Sequence, residues 1–438
     1  MSTPQDNEGS DAYTENLAKV NESTAVLASE DILNAQGVLI AKKGANIDQK
    51  TASKLMTFKL TKPLEGSVSI ENEIDGAALL LATRNFLKEN EQLKQIHDRI
   101  NMEAGLPRLT STINSFPIIK QKVTVMSILM PTLYQQSVFS GWLAAVIGKR
   151  MGFGDGQIMM LFLAGLTHDL GMLHISSEVL NKKGDISPEE WRQIQAHPVI
   201  GQKILASMDK LPKEISRAVL EHHERVDGSG YPAGKHGEEL HLYGQIIAMT
   251  DAMQGAYRQH VQANNSSMRN LFPILQMNSE AHFYKTYGAL STTLKQVGFP
   301  EATSITDSSL PDNIKFVRES YQTLNRDIEK LNAIVAAFPP DHSEKELRAI
   351  DVSLLHCMKT VRGSGILDEG YLRWLEQVEQ SKLAFAYREL EDVILMMKEL
   401  KFQINRIMKN VRSYIEFGKN RELASTMGNA MDATTASA

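Results

Sequence analysis

The sequence predicts a mainly α protein, with a small α+β module near its N-terminal end and a helical hairpin or bundle near its C-terminal end. Three observations carry this reading. β signals are confined to short apolar runs between Val26 and Ile70, separated by glycine turns. From Ala77 onward, apolar residues recur at helical spacing nearly to the end. The length of 438 residues exceeds one ordinary domain, and 42% apolar with 23% charged residues suits buried cores rather than wholesale disorder.

Residues 1–22 are polar and are expected to form a disordered tail. In residues 23–75, Ile32-Leu33 and Val38-Leu39-Ile40 flank the turn residues Asn34-Ala35-Gln36-Gly37, a hairpin pattern. A second turn at Lys42-Lys43-Gly44, a helical stretch from Lys50 to Phe58 and a strand from Ser67 to Ile70 complete this module. Residues 76–122 read as a helical linker and residues 123–300 as an all-helical domain. Within that domain, Ile158 to Ala164 is apolar on every side, as in a helix buried in a core, and it leads directly into His168-Asp169. Ser187-Pro188-Glu189-Glu190 supplies a capping serine, proline at the first helical position and glutamate at the third. Pro198 disfavours the α conformation at His197 and predicts a kink there.

Beyond about Leu310, the segments Ile314 to Ala337, Glu344 to Val361 and Leu367 to Phe417 carry helical apolar spacing. Pro339-Pro340 and Gly363-Ser364-Gly365 punctuate them. Leu390, Val393, Ile394, Met397, Leu400, Ile404 and Met408 form one stripe, read as the core of a helical region over 311–420 or as a homodimer seam. Residues 421–438 are expected to be a second disordered tail.

Composition narrows the function classes. With 47 Lys plus Arg against 52 Asp plus Glu, the formal charge is −5, which excludes a globally basic surface for DNA or RNA. The single cysteine, Cys357, excludes an intrachain disulfide or a thiolate cage, so any metal must be held by nitrogen and oxygen. The opening residues are polar and acidic, unlike a secretory leader. The apolar run Ile158 to Leu166 falls short of the roughly 20 residues that span a bilayer. A cytoplasmic protein without membrane insertion is expected.

Six residues draw attention: His168, Asp169, His197, His222, His223 and Asp251. They offer the nitrogen and oxygen donors that Fe, Mn or Zn accept. They fall on about four helical segments and converge only if those helices pack together. A carboxylate beside a histidine can bridge two ions. Two ions a few Å apart can share a hydroxide, lower its pKa and stabilise an in-line displacement at phosphorus. For His97, His236, His241, His260, His282, His342 and His356 the plainer reading, a surface or hydrogen-bonded core residue, is kept.

The segment His222-His223-Glu224-Arg225-Val226-Asp227-Gly228-Ser229-Gly230-Tyr231-Pro232 resembles the signature of the HD-GYP family, a branch of the HD-domain metal-dependent phosphohydrolases. Supporting pieces stand in the family's order: His168-Asp169-Leu170-Gly171, His197-Pro198 with Gly201, Leu211-Pro212, and Ile247-Ala248-Met249-Thr250-Asp251. The resemblance spans roughly Val123 to Phe299, and the N-terminal module is weakly similar to one found ahead of such domains. It implies an all-helical HD-type domain holding two or three divalent ions, usually iron or manganese, that hydrolyses the bacterial second messenger cyclic di-GMP to pGpG or GMP. Carried over by position, His168, Asp169, His197, His222, His223 and Asp251 are the metal ligands, with Asp169 bridging and His168-Asp169 at the catalytic centre. Asp227, Gly228, Gly230, Tyr231 and Pro232 shape a loop beside the site. Glycines permit positive φ and close backbone approach, and Pro232 fixes the turn.

The pattern breaks at several positions. Gln136 stands where the family carries a further ligating histidine, and a neutral amide is a weaker ligand than imidazole. Met172 replaces a lysine that would contact phosphate, a loss of about 3 kcal/mol or 10²–10³ in rate. His174 is a weak substitute for it; Ser176 replaces a proline and Gln254 an aspartate, and Arg258 and His260 lie near by in sequence. Two readings follow: a phosphodiesterase with an altered ligand set, or a degenerate domain that acts as a cyclic di-GMP receptor or docks a signalling protein. The first is favoured because a hydroxide shared between two metal ions supplies much of the chemistry, whereas Gln136 and Met172 argue for weakened or absent turnover. A generic nucleotide phosphohydrolase is disfavoured by the long signature loop.

Overall fold

The computed structural model describes residues 4–184, 186–226, 228–279, 283–338 and 344–436. Asp227, His282, His342 and the Pro339-Pro340 pair lie outside the described residues. The chain folds as two compact units, one of Met1–His223 with His241–Gln254 and one of Glu224–Leu240 with Gly255–Ala438. Of the expected 123–300 domain, residues up to His223 and His241–Gln254 fall in the first unit, and Glu224–Leu240 and the part from Gly255 onward in the second.

The first correction comes at the N-terminus. Where a disordered tail over 1–22 was expected, the helix Pro4–Asn21 forms. Its face Tyr13, Leu17, Ala18 and Val20 recurs at helical spacing and is buried. Four apolar residues among many polar ones are too few to shift the composition, yet enough to anchor a helix on a neighbour.

The module that follows matches its reading. Val26–Ala28 pairs antiparallel with Val68–Ile70, Val26 opposite Ile70, and Ile32–Leu33 pairs with Leu39–Ala41 across the Asn34–Gly37 turn. The helix Gln49–Thr57 starts where the Asp48 side chain accepts a hydrogen bond from the Thr51 N–H at 2.7 Å. The linker is helical throughout most of its length, as Gly76–Glu89, Glu91–Arg99 and Leu106–Ser111, and it runs into Pro117–Leu129.

The heart of the first unit is the helix pair Pro131–Arg150 and Asp155–Thr167. Trp142, Val146, Ile147, Leu161, Phe162 and Leu166 on these two helices are all buried. The segment Asp155–His174 is long and apolar enough to cross a bilayer by composition alone, but 72% of it is buried inside the protein, as a core helix is. The Ser187 cap is formed as predicted. Its hydroxyl accepts from the Glu190 N–H at 3.2 Å while Glu190 Oε2 accepts from the Ser187 N–H at 2.7 Å. At Pro198 the expected kink is a full break between the helices Pro188–Gln195 and His197–Ala206.

The second unit holds a bundle of Leu310–Val335, Lys345–Ser364, Glu369–Ser381, Tyr387–Phe417 and Arg421–Ala436. The predicted long segment over 367–417 is split, because Lys382 takes positive φ, 44°, and ends the helix before it. The stripe from Leu390 to Ile404 lies buried within the bundle with Met408 packed against it, so it is core and not a homodimer seam. The expected tail over 421–438 is also overturned: Leu423, Ala424 and Met427 bury one face of a last helix against this core.

Candidate metal centre

Five helical segments of the first unit position the predicted ligands. Asp155–Thr167 delivers His168 and Asp169 at its end, and the 3₁₀ turn Leu170–His174 follows. His197 opens His197–Ala206, His222 and His223 follow Lys213–Glu221, and Asp251 lies within Leu242–Ala256. Gly171 is what lets the turn lie against the backbone of His197. A Cβ at that position would stand 2.0 Å from the His197 carbonyl oxygen and 2.9 Å from the Gly201 nitrogen.

Three imidazoles are oriented identically. The Nδ1–H of His168, His197 and His222 donates to the carbonyl three residues earlier, Gly165 at 2.7 Å, Ile194 at 2.7 Å and Val219 at 2.6 Å. With a proton held at Nδ1, Nε2 is the atom each ring presents, and it offers an unshared pair whenever the ring is neutral. All three Nε2 atoms face Asp169, at 3.2 Å for His168, 3.2 Å for His197 and 3.7 Å for His222. His223 Nδ1 lies 3.6 Å from Asp251 Oδ2. Donor atoms of Asp169, His197, His222 and His223 all fall within 4.8 Å of one another.

This donor set fits a divalent cation. His197 Nε2 and His222 Nε2 are 3.2 Å apart, and two unshared pairs at that separation repel unless a proton or a cation stands between them. The charges tell the same story. Burial would raise the Asp169 carboxyl, but His168 and the hydrogen bonds from His168, His197 and His222 hold it well below the usual carboxylate range. Burial pushes His168 down, yet Asp169, with help from Asp251 and the Gly165 carbonyl, outweighs it and lifts the imidazole to about 9. Burial, the strongest influence on His222, leaves that ring below its ordinary value. The cluster is a buried anion surrounded by nitrogen donors, and it already attracts a proton.

Several supporting residues were not legible in the sequence. Glu221, fully buried beside the histidine pair, accepts from Arg217 Nε at 2.9 Å and from the His241 N–H at 2.7 Å, tying the His222-bearing segment to the start of the Asp251 helix. Thr250 Oγ1, next to Asp251, donates to Ser140 Oγ at 3.2 Å and so anchors that helix on Pro131–Arg150. In the second unit, buried Glu224 gathers the signature loop, accepting from the backbone N–H groups of Ala233 at 2.7 Å, Gly234 at 3.2 Å and Lys235 at 3.0 Å. Gly228 there has φ of +78°, and a Cβ would meet the His236 ring at 2.3 Å, so His236 shapes this loop. Two glutamates flanking a histidine pair were the available signal; their burial was not.

The remaining predicted positions are less central. Gln136 is half-buried on Pro131–Arg150. Met172 is half-buried within the turn after Asp169. His174 bonds Lys122 Nζ at 2.9 Å and stacks on Tyr13, so it is committed elsewhere and does not replace the missing lysine. Gln254 is buried near the end of Leu242–Ala256, and Arg258 and His260 fall on the π-helix Tyr257–Gln262. His97 is the buried, hydrogen-bonded residue expected, accepting from Trp142 Nε1 at 3.2 Å.

Residues 123–286 match the model of the HD domain. A helical domain that closes a carboxylate and several imidazoles round one point, and that matches this model, defines the class as an HD domain with a candidate divalent-metal centre. Beyond that class, the chain is similar to proteins named for cyclic dinucleotide hydrolysis. It is 36% identical over 106 residues to a 3′3′-cGAMP-specific phosphodiesterase of Vibrio cholerae, covering 24% of this chain and 23% of that one. It is 31% identical over 133 residues to a cyclic di-GMP phosphodiesterase of Thermotoga maritima, covering 30% and 36%. A cyclic di-GMP phosphodiesterase of Pseudomonas aeruginosa is 25% identical over 219 residues, covering 48% and 53%. The chain thus spans about a quarter to a half of the length of these relatives.

Proposed function

We propose that this protein is a metal-dependent phosphodiesterase that hydrolyses cyclic di-GMP to pGpG or GMP in bacterial second-messenger signalling. One observation carries the proposal: three imidazoles, each held by a backbone carbonyl, turn their Nε2 atoms onto the single carboxylate of Asp169. Two divalent ions, iron or manganese, suit these donors. Asp169, His197, His222 and His223 would hold one, and His168, Asp169 and Asp251, with Gln136 as a weak fourth, the other. Ions held in this way lower the pKa of water and neutralise phosphate charge.

The residues of the chain do the rest. Asp169 links the two donor sets, and the carbonyl anchors keep each ring from rotating out of place. The Met172 thioether cannot neutralise phosphate charge, so turnover is expected to be slow, lower by about 10²–10³ than with a lysine there. Gln136 and Met172 are also what supports the second reading, a receptor that binds the dinucleotide without cleaving it.

Elemental analysis of the purified chain tests the metal centre. Fewer than about 0.2 ions per chain would refute it, since a folded site of this kind should be near full occupancy. Incubation with Mn²⁺ or anaerobic Fe²⁺ and either cyclic di-GMP or 3′3′-cGAMP tests the reaction. Linear product is expected and should vanish in His168→Ala. Equal product from that variant would remove the hydrolase reading, binding without turnover would favour the receptor, and cleavage of 3′3′-cGAMP alone would overturn the substrate assignment. Joint replacement Gln136→His and Met172→Lys should raise the rate.

A further inference from the structure

The turn that begins at Asp169 is held at its far end by the N-terminal helix. Asn16 Nδ2 donates to the Leu173 carbonyl at 2.9 Å, and the Tyr13 ring stacks on His174 with centroids 4.9 Å apart and planes 11° from parallel. Both Tyr13 and Asn16 are buried, at 1% and 5% exposure. Lys122 Nζ, with no solvent exposure, lies 3.5 Å over the same Tyr13 ring, 2.9 Å from His174 Nε2 and 3.2 Å from Glu65 Oε1. The Tyr13 hydroxyl donates to Gln121 Oε1 at 2.8 Å, and Gln121 Nε2 donates to the Val68 carbonyl at 2.9 Å.

One buried polar cluster therefore joins four parts of the first unit: the N-terminal helix, the β module, the helix Pro117–Leu129 and the turn after Asp169. That turn has little slack. The Met172 N–H donates to the Asp169 carbonyl at 2.9 Å and the Ile175 N–H to the Met172 carbonyl at 3.1 Å, while Gly171 is pressed on the His197 backbone. Gly171, the one glycine between Leu173 and Asp169, is pinned against the His197 backbone, so a shift of Leu173 or His174 is passed on toward Asp169. The contacts also fall on a carbonyl and an imidazole of the turn, which fixes its rotation as well as its distance in a way an apolar patch does not.

We propose that the N-terminal helix is a positioning element of the metal centre, with Tyr13 and Asn16 setting the placement of Asp169 through His174 and Leu173. This rests on the metal-centre reading above. It gives the N-terminal module a physical route to the site, since anything that lifts the helix Pro4–Asn21 releases the turn that carries the bridging carboxylate.

The test uses the full chain with Tyr13→Leu, Asn16→Ala and Tyr13→Phe, measuring Mn²⁺ affinity by calorimetry and hydrogen exchange at the amides of residues 170–175 in metal-free protein. Tyr13→Leu and Asn16→Ala should each weaken Mn²⁺ binding by about 10- to 100-fold, as loss of residues that orient ligands does. Both should speed exchange in the turn. Tyr13→Phe, which keeps the ring over His174 and Lys122, should retain the parent affinity. If Tyr13→Leu fails to fold, Asn16→Ala, which deletes one hydrogen bond, decides. Unchanged affinity and exchange in Asn16→Ala and Tyr13→Leu, with only a lower melting temperature, would make the helix a mere fastening and overturn the proposal alone. A parent that binds no Mn²⁺ would overturn the metal reading and this one with it.

Discussion

At Gly171 one methyl group is enough to disturb the donor cluster. A Cβ there would overlap the carbonyl of His197, a backbone atom that cannot swing aside. Gly171→Ala should cost about 1–3 kcal/mol, as overpacking does, and should also lower bound metal because it drives His197 away from Asp169. Urea unfolding with elemental analysis checks this; full metal content in a folded variant would contradict it. The six candidate ligands were legible because their side-chain chemistry is rare and their order distinctive, and the structure gathers four of them, Asp169, His197, His222 and His223, within 4.8 Å of one another. Glu221, Glu224, Tyr13 and Asn16 were not, since nothing in a single letter separates a buried carboxylate or amide from the solvated ones that outnumber it.

Between elements, local signals and tertiary contacts divide the outcome. The Ser187 capping box and the Asn34–Gly37 turn follow from a few adjacent residues and formed as read, whereas the kink expected at His197 became a helix boundary at Ala196. The two terminal helices did not follow from local signals. Their weak apolar faces become helices only because a neighbour covers them, and helix stability in proteins comes mostly from such packing. The Glu65–Lys122 pair joins the β module to the helix Pro117–Leu129 and has a pH signature. Burial works to raise the Glu65 carboxyl, but Lys122 and His174 hold it below its ordinary 4.5. A depressed folded value stabilises the protein above the unfolded value, and that stabilisation is lost as pH falls through the folded one. Breaking the pair with Glu65→Gln should therefore cost about 3 kcal/mol at pH 7, with the gap to the parent closing as pH drops below 4.5. A gap that does not change with pH would exclude this pair as its source.

For the whole molecule, metal binding is expected to be linked to the stability of one unit. The candidate ligands all belong to the unit that contains His223 and Asp251, whereas the bundle is built from the other. Mn²⁺ at about a hundred times its dissociation constant should stabilise the metal-holding unit by about 2.7 kcal/mol. In calorimetry one transition should move with added Mn²⁺ and reverse with chelator, while the bundle's transition stays in place. Movement of both together would show a single cooperative body.

The sequence by itself determined the helical class, the β module, the helix starts and the candidate ligands, because periodicity, capping chemistry and rare donor residues act over a few positions. Only the tertiary structure decided where the units divide, that Pro4–Asn21 and Arg421–Ala436 are helical, that the 390–408 stripe faces inward, and that an N-terminal helix grips the turn beside Asp169. Those outcomes depend on which surfaces meet. Burial is a property of pairs of segments distant along the chain, and no local pattern records it.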